Sequence, residues 1–228
     1  MEGSKQMSGE KMCSFCGEGR RIISVINNNT SVERKIYENE NFYVTVSIGA
    51  IVEGHLLIIP KKHYLSMGEL PQKLMCELKD LMDSISGILT KDYNMGVMAF
   101  EHGTGRNSDL SAASVIHAHM HLLPIPNTLL DVIEQYGCEI EQLDNISDLS
   151  QYAQRGESYL FYMDIDKKMY CIENSSLPSQ FFRKVAAEKY DLGEWDWHKD
   201  YKIHNVIRTV ERFSNFSERV NYNILAEA

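Results

Sequence analysis

The stretch that most constrains this chain is Ser114-Val115-Ile116-His117-Ala118-His119-Met120-His121-Leu122-Leu123-Pro124. Three histidines alternate with apolar residues and run into an apolar exit closed by proline. In a β-strand, residues i, i+2 and i+4 point to one face, about 6–7 Å apart along the strand. His117, His119 and His121 therefore project together, with Val115, Ala118, Met120 and Leu122 filling the other side. A helix would scatter the same histidines at roughly 100° per residue. Each desolvated imidazole costs free energy unless it finds a partner. Such a row can be a set of satisfied polar residues, a metal site, or a histidine nucleophile flanked by helpers.

The surrounding chain narrows the choices. Its 228 residues, 43% hydrophobic and 24% charged, suit one or two globular domains. No apolar run approaches the ~18–20 residues of a membrane span. Met1 to Met12 lacks the apolar core of a signal peptide. Five cysteines, an odd number, do not suggest a disulfide scaffold, so the cytoplasm is the expected compartment. A net charge of −9 argues against broad nucleic-acid binding. A small basic pocket for phosphates is compatible with it.

Further signals lie along the chain. Residues 1–11 read as a flexible tail. Cys13-Ser14-Phe15-Cys16 can hold one zinc if two further ligands arrive from elsewhere; a redox pair or chance spacing are equal readings. Ile36-Tyr37 and Phe42–Val46 read as strands around a turn, and Val52 to Pro60 as a third. Glu69 to Leu89 carries apolar residues at helical spacing. Met95 to Glu101 reads as the next strand and Ser114 to Leu123 as its neighbour. The intervening loop, residues 102–113, is small and polar. It suits a phosphate beside a nucleophile, or is an ordinary strand connection.

His117-Ala118-His119-Met120-His121-Leu122-Leu123 resembles the signature of the histidine-triad (HIT) family. Gly54-His55-Leu56-Leu57-Ile58-Ile59-Pro60-Lys61-Lys62-His63 and Phe100-Glu101-His102-Gly103 resemble two further segments of that family, in matching order and spacing. The resemblance covers about residues 13–126. It implies an α+β fold: a mostly antiparallel sheet with a long packing helix, and here a C-terminal α+β extension. The expected division is a HIT domain with a zinc knuckle over residues 12–126 and an extension, 127–228, packed on its core.

The resemblance also implies the chemistry. HIT enzymes cleave an α-phosphorus bond of a nucleotide. By it, His119 is the nucleophile, His121 bonds the transferred phosphate or bridging oxygen, and His117 orients its neighbours. Cys13, Cys16, His63 and His117 become the ligands of a structural zinc. Ser114 and Asn107 would stabilise charge on the phosphoryl oxygens. An acidic residue or Asn usually holds the ribose hydroxyls eight positions before His55; this chain has Ser47 there. His121 stands where related uridylyltransferases carry Gln, which leans towards hydrolysis of a dinucleoside polyphosphate or nucleoside phosphoramidate. Phosphate or another acceptor stays open. So do a catalytic metal on the three histidines with Glu101 as base, and a non-catalytic nucleotide-binding protein. HIT proteins are often homodimers.

Beyond Pro126 the resemblance weakens. Thr128 to Tyr136 reads as a short helix, and Tyr159–Met163 with Met169–Ile172 as a hairpin. Helices are expected over Pro178–Glu188 and about Lys202–Phe213. Gln180 and Arg183, at i and i+3, would share one helix face, from which Arg183 could reach a substrate phosphate. A plain surface face is the alternative.

Overall fold

The structure, a computed structural model, describes residues 13, 15–16, 24–27, 30–107, 115–173 and 177–227. The expected tail and Ser114 lie outside them. Two strands, β1 (Ser24–Asn27) and β2 (Thr30–Glu33), form a separate ribbon. The main sheet contains β3 (Lys35–Glu38), β4 (Phe42–Val46), β5 (Leu56–Pro60), β6 (Gly96–Gly103), β7 (Met120–Ile125), β8 (Glu139–Leu143), β9 (Tyr159–Met163) and β10 (Met169–Glu173). Its order is β3-β4-β5-β7-β6-β9-β10-β8, with every neighbour antiparallel. The fold is α+β. The sheet runs without a break from the strands that carry the histidines into those beyond Pro126. The seam is β6 against β9, from Ala99 opposite Met163 to Gly103 opposite Tyr159. Gly103 is needed there, since a Cβ would lie 2.4 Å from the Tyr159 ring.

Helix α1 (Gln72–Tyr93) covers one face of the sheet. Leu78, Leu81, Ile85 and Leu89 pack with Val44, Leu56, Ile58, Met120 and Leu122, all buried. Each such side chain contributes about 1.5–3 kcal/mol when fully buried. The helix begins after Pro71 rather than at Glu69, because proline fixes the turn and has no N–H to lose. The Glu69 carboxylate instead accepts the Leu65 N–H at 2.9 Å and pairs with Arg106 at 2.7 Å. Asn94, left-handed at φ 51°, ends the helix.

The opposite face is covered by the C-terminal third. Helices α2 (Leu130–Ile133) and α4 (Phe181–Tyr190) bring Ile133, Phe182, Val185 and Ala186 onto Phe100, Leu123, Leu160 and Tyr162. On the α1 side, α3 (Ser150–Arg155) buries Tyr152 in the same core as α1. Helix α5 (Ile203–Arg212) donates no strand partner but anchors Gly54, whose N–H reaches Thr209 Oγ1 at 3.0 Å. Helix α6 (Phe216–Glu227) lies against α1, with Arg219 gripping Asp92 through two bonds of 2.8 and 2.7 Å.

Two strands differ from expectation. The third strand starts at Leu56, not Val52, because the chain turns through Gly54 at φ 86°, a glycine conformation. The histidine strand starts at Met120, not Ser114. Residues 115–119 leave the ladder, and the Ala118 N–H donates to the Tyr64 carbonyl at 2.8 Å. Ala118, Met120 and Leu122 still face α1. Val115 packs with Phe15 on the histidine side instead.

Glu101 lies in the seam, 1% exposed. It accepts the Met67 N–H at 2.7 Å and the Tyr159 hydroxyl at 2.6 Å. Burial pushes its carboxyl up to about 8. The folded state therefore holds a proton that the unfolded state releases above its ordinary value near 4.5. The unfolded chain binds fewer protons across that window, so stability contributed here falls as pH rises from about 4.5 to 8. Thermal unfolding of wild type and Glu101→Gln over that range should show a gap that shifts in favour of the variant as pH rises. A gap independent of pH would refute the assignment.

Candidate active site and metal centre

The three histidines do not share one point. Each ring is turned by a different partner. His117, 1% exposed, donates from Nε2 to the Pro60 carbonyl at 2.9 Å. Its Nδ1 lone pair is thereby left facing Cys13 Sγ at 3.3 Å and Cys16 Sγ at 3.4 Å. His63 Nδ1 lies 3.3 Å from Cys16 Sγ. One ligand atom from each of Cys13, Cys16, His63 and His117 falls within 4.8 Å of all the others. The Cys16 N–H closes a tight turn onto the Cys13 carbonyl at 3.3 Å. Phe15 between them packs on Tyr43, Leu57 and Ile59. Burial raises the Cys13 thiol, but bonds with His117 and His63 outweigh it and hold the group at about 5.

This donor set fits a tetrahedral metal. Bond lengths of about 2.3 Å to sulfur and 2.0–2.1 Å to nitrogen place neighbouring ligands ~3.5 Å apart. The carbonyl on the far nitrogen of His117 is the outer partner that fixes a ligating imidazole. The four residues can hold one metal ion.

His119 is set differently. Its Nδ1 lies 2.7 Å from the His117 carbonyl, so Nδ1–H donates and Nε2 keeps its lone pair. Burial, with the charges of His117, His102 and Arg183, holds the ring at about 4, against a smaller opposing effect of that carbonyl. His119 is therefore neutral at pH 7. A neutral ring with one nitrogen tied back and the other free is a nucleophile's arrangement.

His121 stacks on Phe100, ring centroids 4.2 Å apart, and its Nδ1 meets His55 Nε2 at 2.8 Å. His55 Nδ1 is buried with no partner among the described residues. An unmet acceptor is tolerated better than an unmet N–H. His55 Nε2–H therefore donates to His121, which leaves His121 Nε2–H as a donor. Burial first, then neighbouring positive groups, hold both rings well below the usual histidine range. Nothing in residues 54–63 taken alone marked His55 as this partner; its Gly-His context was the available signal.

His119 and His121 line a cavity with Leu57 and Phe100 as floor and Ser47, Ile48 and Arg34 as one wall. The C-terminal third supplies the roof: Ser179, Gln180, Phe182, Arg183 and Trp197. Gln180 is not on the helix face. It sits left-handed at φ 61° just before α4, because the chain turns sharply there. Its amide donates to Asp196 at 3.0 Å and accepts the Trp197 N–H at 3.4 Å. Arg183 is buried and clamps the Trp195 carbonyl at 3.0 Å.

Other expected residues fall elsewhere. Asn107 lies outside this cavity; its amide donates to the Arg155 carbonyl at 3.3 Å, drawn there by the α3 turn. Glu101 points to the opposite sheet face and cannot serve as base to the histidines. Cys13 with Cys16 takes His117 away, so the three histidines form no common metal site.

Residues 28–127 match the model of the HIT domain. CWF19-like protein 1 of Xenopus laevis is 26% identical over 168 residues, 72% of this chain and 31% of that relative. The chain thus spans about a third of the length of that relative. Adenosine 5′-monophosphoramidase HNT1 of Candida albicans is 24% identical over 146 residues, 64% of this chain and 91% of that protein. A HIT family protein of Bacillus anthracis has a solved structure with 24% identity and TM-score 0.40, covering 51% of this chain and 75% of that one. No helix among the described residues is long and apolar enough to cross a membrane.

Proposed function

We propose that this protein is a nucleotide-processing enzyme that cleaves an α-phosphorus bond, in a dinucleoside polyphosphate or a nucleoside phosphoramidate, through a nucleotidyl-histidine on His119. The carrying observation is the neutral His119 ring, its Nδ1–H held by the His117 carbonyl and its Nε2 free beside the cavity. Nε2 attacks the α-phosphorus in line; the N–P bond forms as the bond to the leaving group breaks. His121 Nε2–H bonds a phosphoryl or bridging oxygen. Water then attacks phosphorus, the N–P bond breaks, and the nucleoside monophosphate departs with His119 restored. Two in-line displacements give net retention. Phosphate in place of water would make the same site a phosphorylase.

Cys13, Cys16, His63 and His117 would hold a zinc ion. With four protein ligands it stabilises the fold and leaves no open position for chemistry. Its tie on His117 positions the carbonyl that orients His119. Ser114 remains a candidate phosphate donor, and Arg183 and Gln180 candidate roof contacts.

A second reading, nucleotide binding without turnover, is favoured by Ser47. Its hydroxyl donates to the Ile48 carbonyl and accepts from Arg183, so it offers the ribose little. Intact-mass spectrometry separates the two. The protein is mixed briefly with adenosine and guanosine phosphoramidates and dinucleoside polyphosphates, then quenched without acid. A nucleotidyl adduct supports the enzyme. Binding with neither adduct nor product supports the second reading.

A further inference from the structure

Two guanidinium groups line the cavity, Arg34 from its wall and Arg183 from its roof. Arg34, between β2 and β3, is 1% exposed. One terminal nitrogen donates to the Val46 carbonyl, and its buried Nε–H meets no acceptor among the described residues. Arg183, 3% exposed, donates to the Trp195 carbonyl, to Ser47 Oγ at 3.4 Å and to the Gly49 carbonyl. A guanidinium carries five N–H groups, so both have more N–H groups than the bonds they make among the described residues. Neither forms an ion pair among the described residues. Asp196, the acid whose charge Arg183 feels, is itself occupied by Gln180 and His198. A buried charge left uncompensated is strongly unfavourable, and an anionic ligand in the cavity would supply a counter-charge to both.

The two groups bracket one segment. The Val46 N–H donates to the Arg34 carbonyl at 2.9 Å, and Arg183 holds Ser47 and Gly49. By the resemblance, this end of β4 is where an acidic residue or Asn would hold the ribose hydroxyls. Here a short hydroxyl stands between two arginines. In dinucleotide sites, an acidic residue takes a free ribose hydroxyl and an arginine accommodates a ribose phosphate. The planar fork of arginine suits phosphate oxygens in the same way here.

We infer that the cavity takes a nucleotide with a second phosphate, on the 2′ or 3′ oxygen of its ribose, held by Arg34 and Arg183 on either side of Ser47. This rests on the nucleotide reading above and adds a substrate class to it. Arg34 becomes a specificity-determining residue of the site.

Titration calorimetry of the full chain tests it, with 5′-AMP, adenosine 2′,5′-bisphosphate, adenosine 3′,5′-bisphosphate and the guanosine counterparts as probes. One bisphosphate is expected to bind at least tenfold more tightly than its 5′-monophosphate, and which one names the oxygen. Arg34→Met should erase that difference; Arg34→Lys, which keeps the charge in a fold less disturbed, should retain part of it. Equal affinity for mono- and bisphosphates in the wild type overturns the inference while leaving the nucleotide reading intact. Failure of every probe to bind overturns both. A preference that survives in a folded Arg34→Met protein also overturns it.

Discussion

Replacing His119 with alanine is expected to abolish nucleotidyl transfer, lowering turnover by roughly four to six orders of magnitude. No other imidazole can take its place. His117 presents Nδ1 to two cysteines and spends Nε2 on a carbonyl. His121 has Nδ1 bound to His55, and its remaining nitrogen carries the hydrogen. The adduct should vanish from the mass spectrum together with turnover. Nucleotide binding should persist, since Phe100, Phe182 and the arginines are untouched. His119 is part-exposed and lends one backbone bond, so circular dichroism and the thermal midpoint should change little. Residual turnover near the wild-type rate in a folded His119→Ala protein would remove the covalent route from consideration.

Stripping the metal should be the second large effect. One equivalent of zinc per chain is expected by elemental analysis, and none in Cys16→Ala. Closed zinc sites contribute of order 10 kcal/mol in small domains, part of which this larger core replaces. A loss of about 3–4 kcal/mol corresponds to a midpoint drop of about 6–16 °C for a chain of this size. The drop should come with lost activity even though the ion touches no substrate. His117 would swing from Cys13 and Cys16, and the carbonyl that aims His119 would move with it. A metal-free protein that melts at the wild-type temperature would show that the four ligands hold nothing structural.

Much of the site was legible because local chemistry dictates it. The His117-x-His119-x-His121 alternation survives as opposed faces: Ala118, Met120 and Leu122 against α1, His119 and His121 against the cavity. The long helix was legible from its apolar spacing. What was hidden depends on distant contacts. The histidine strand starts late because Tyr64 and the cysteine turn claim residues 117 and 118. Strand β8, Glu139–Leu143, is mostly polar and exposed, as an edge strand can be, and alternation there is weak. Gln180 adopts a left-handed turn that helical spacing does not announce. Arg34 follows Glu33 and precedes Lys35, a run that reads as a solvated surface. Its burial is visible only once Val46 and the cavity wall close over it.

The seam between β6 and β9 bears on how copies of this protein can meet. A sheet of β3, β4, β5, β7 and β6 alone would end in a bare β6 edge, with its N–H and C=O groups free to pair with the same edge of a second copy about a two-fold axis. Here β9 fills that edge from within the chain. The chain is its own partner at that position, and the pairing is lopsided: the strand that docks brings a cavity roof, not a second histidine row. The sheet now ends at β3 and β8. A homodimer that used the β6 edge would have to peel away the layer that covers the cavity, so association and an assembled pocket exclude each other at that edge.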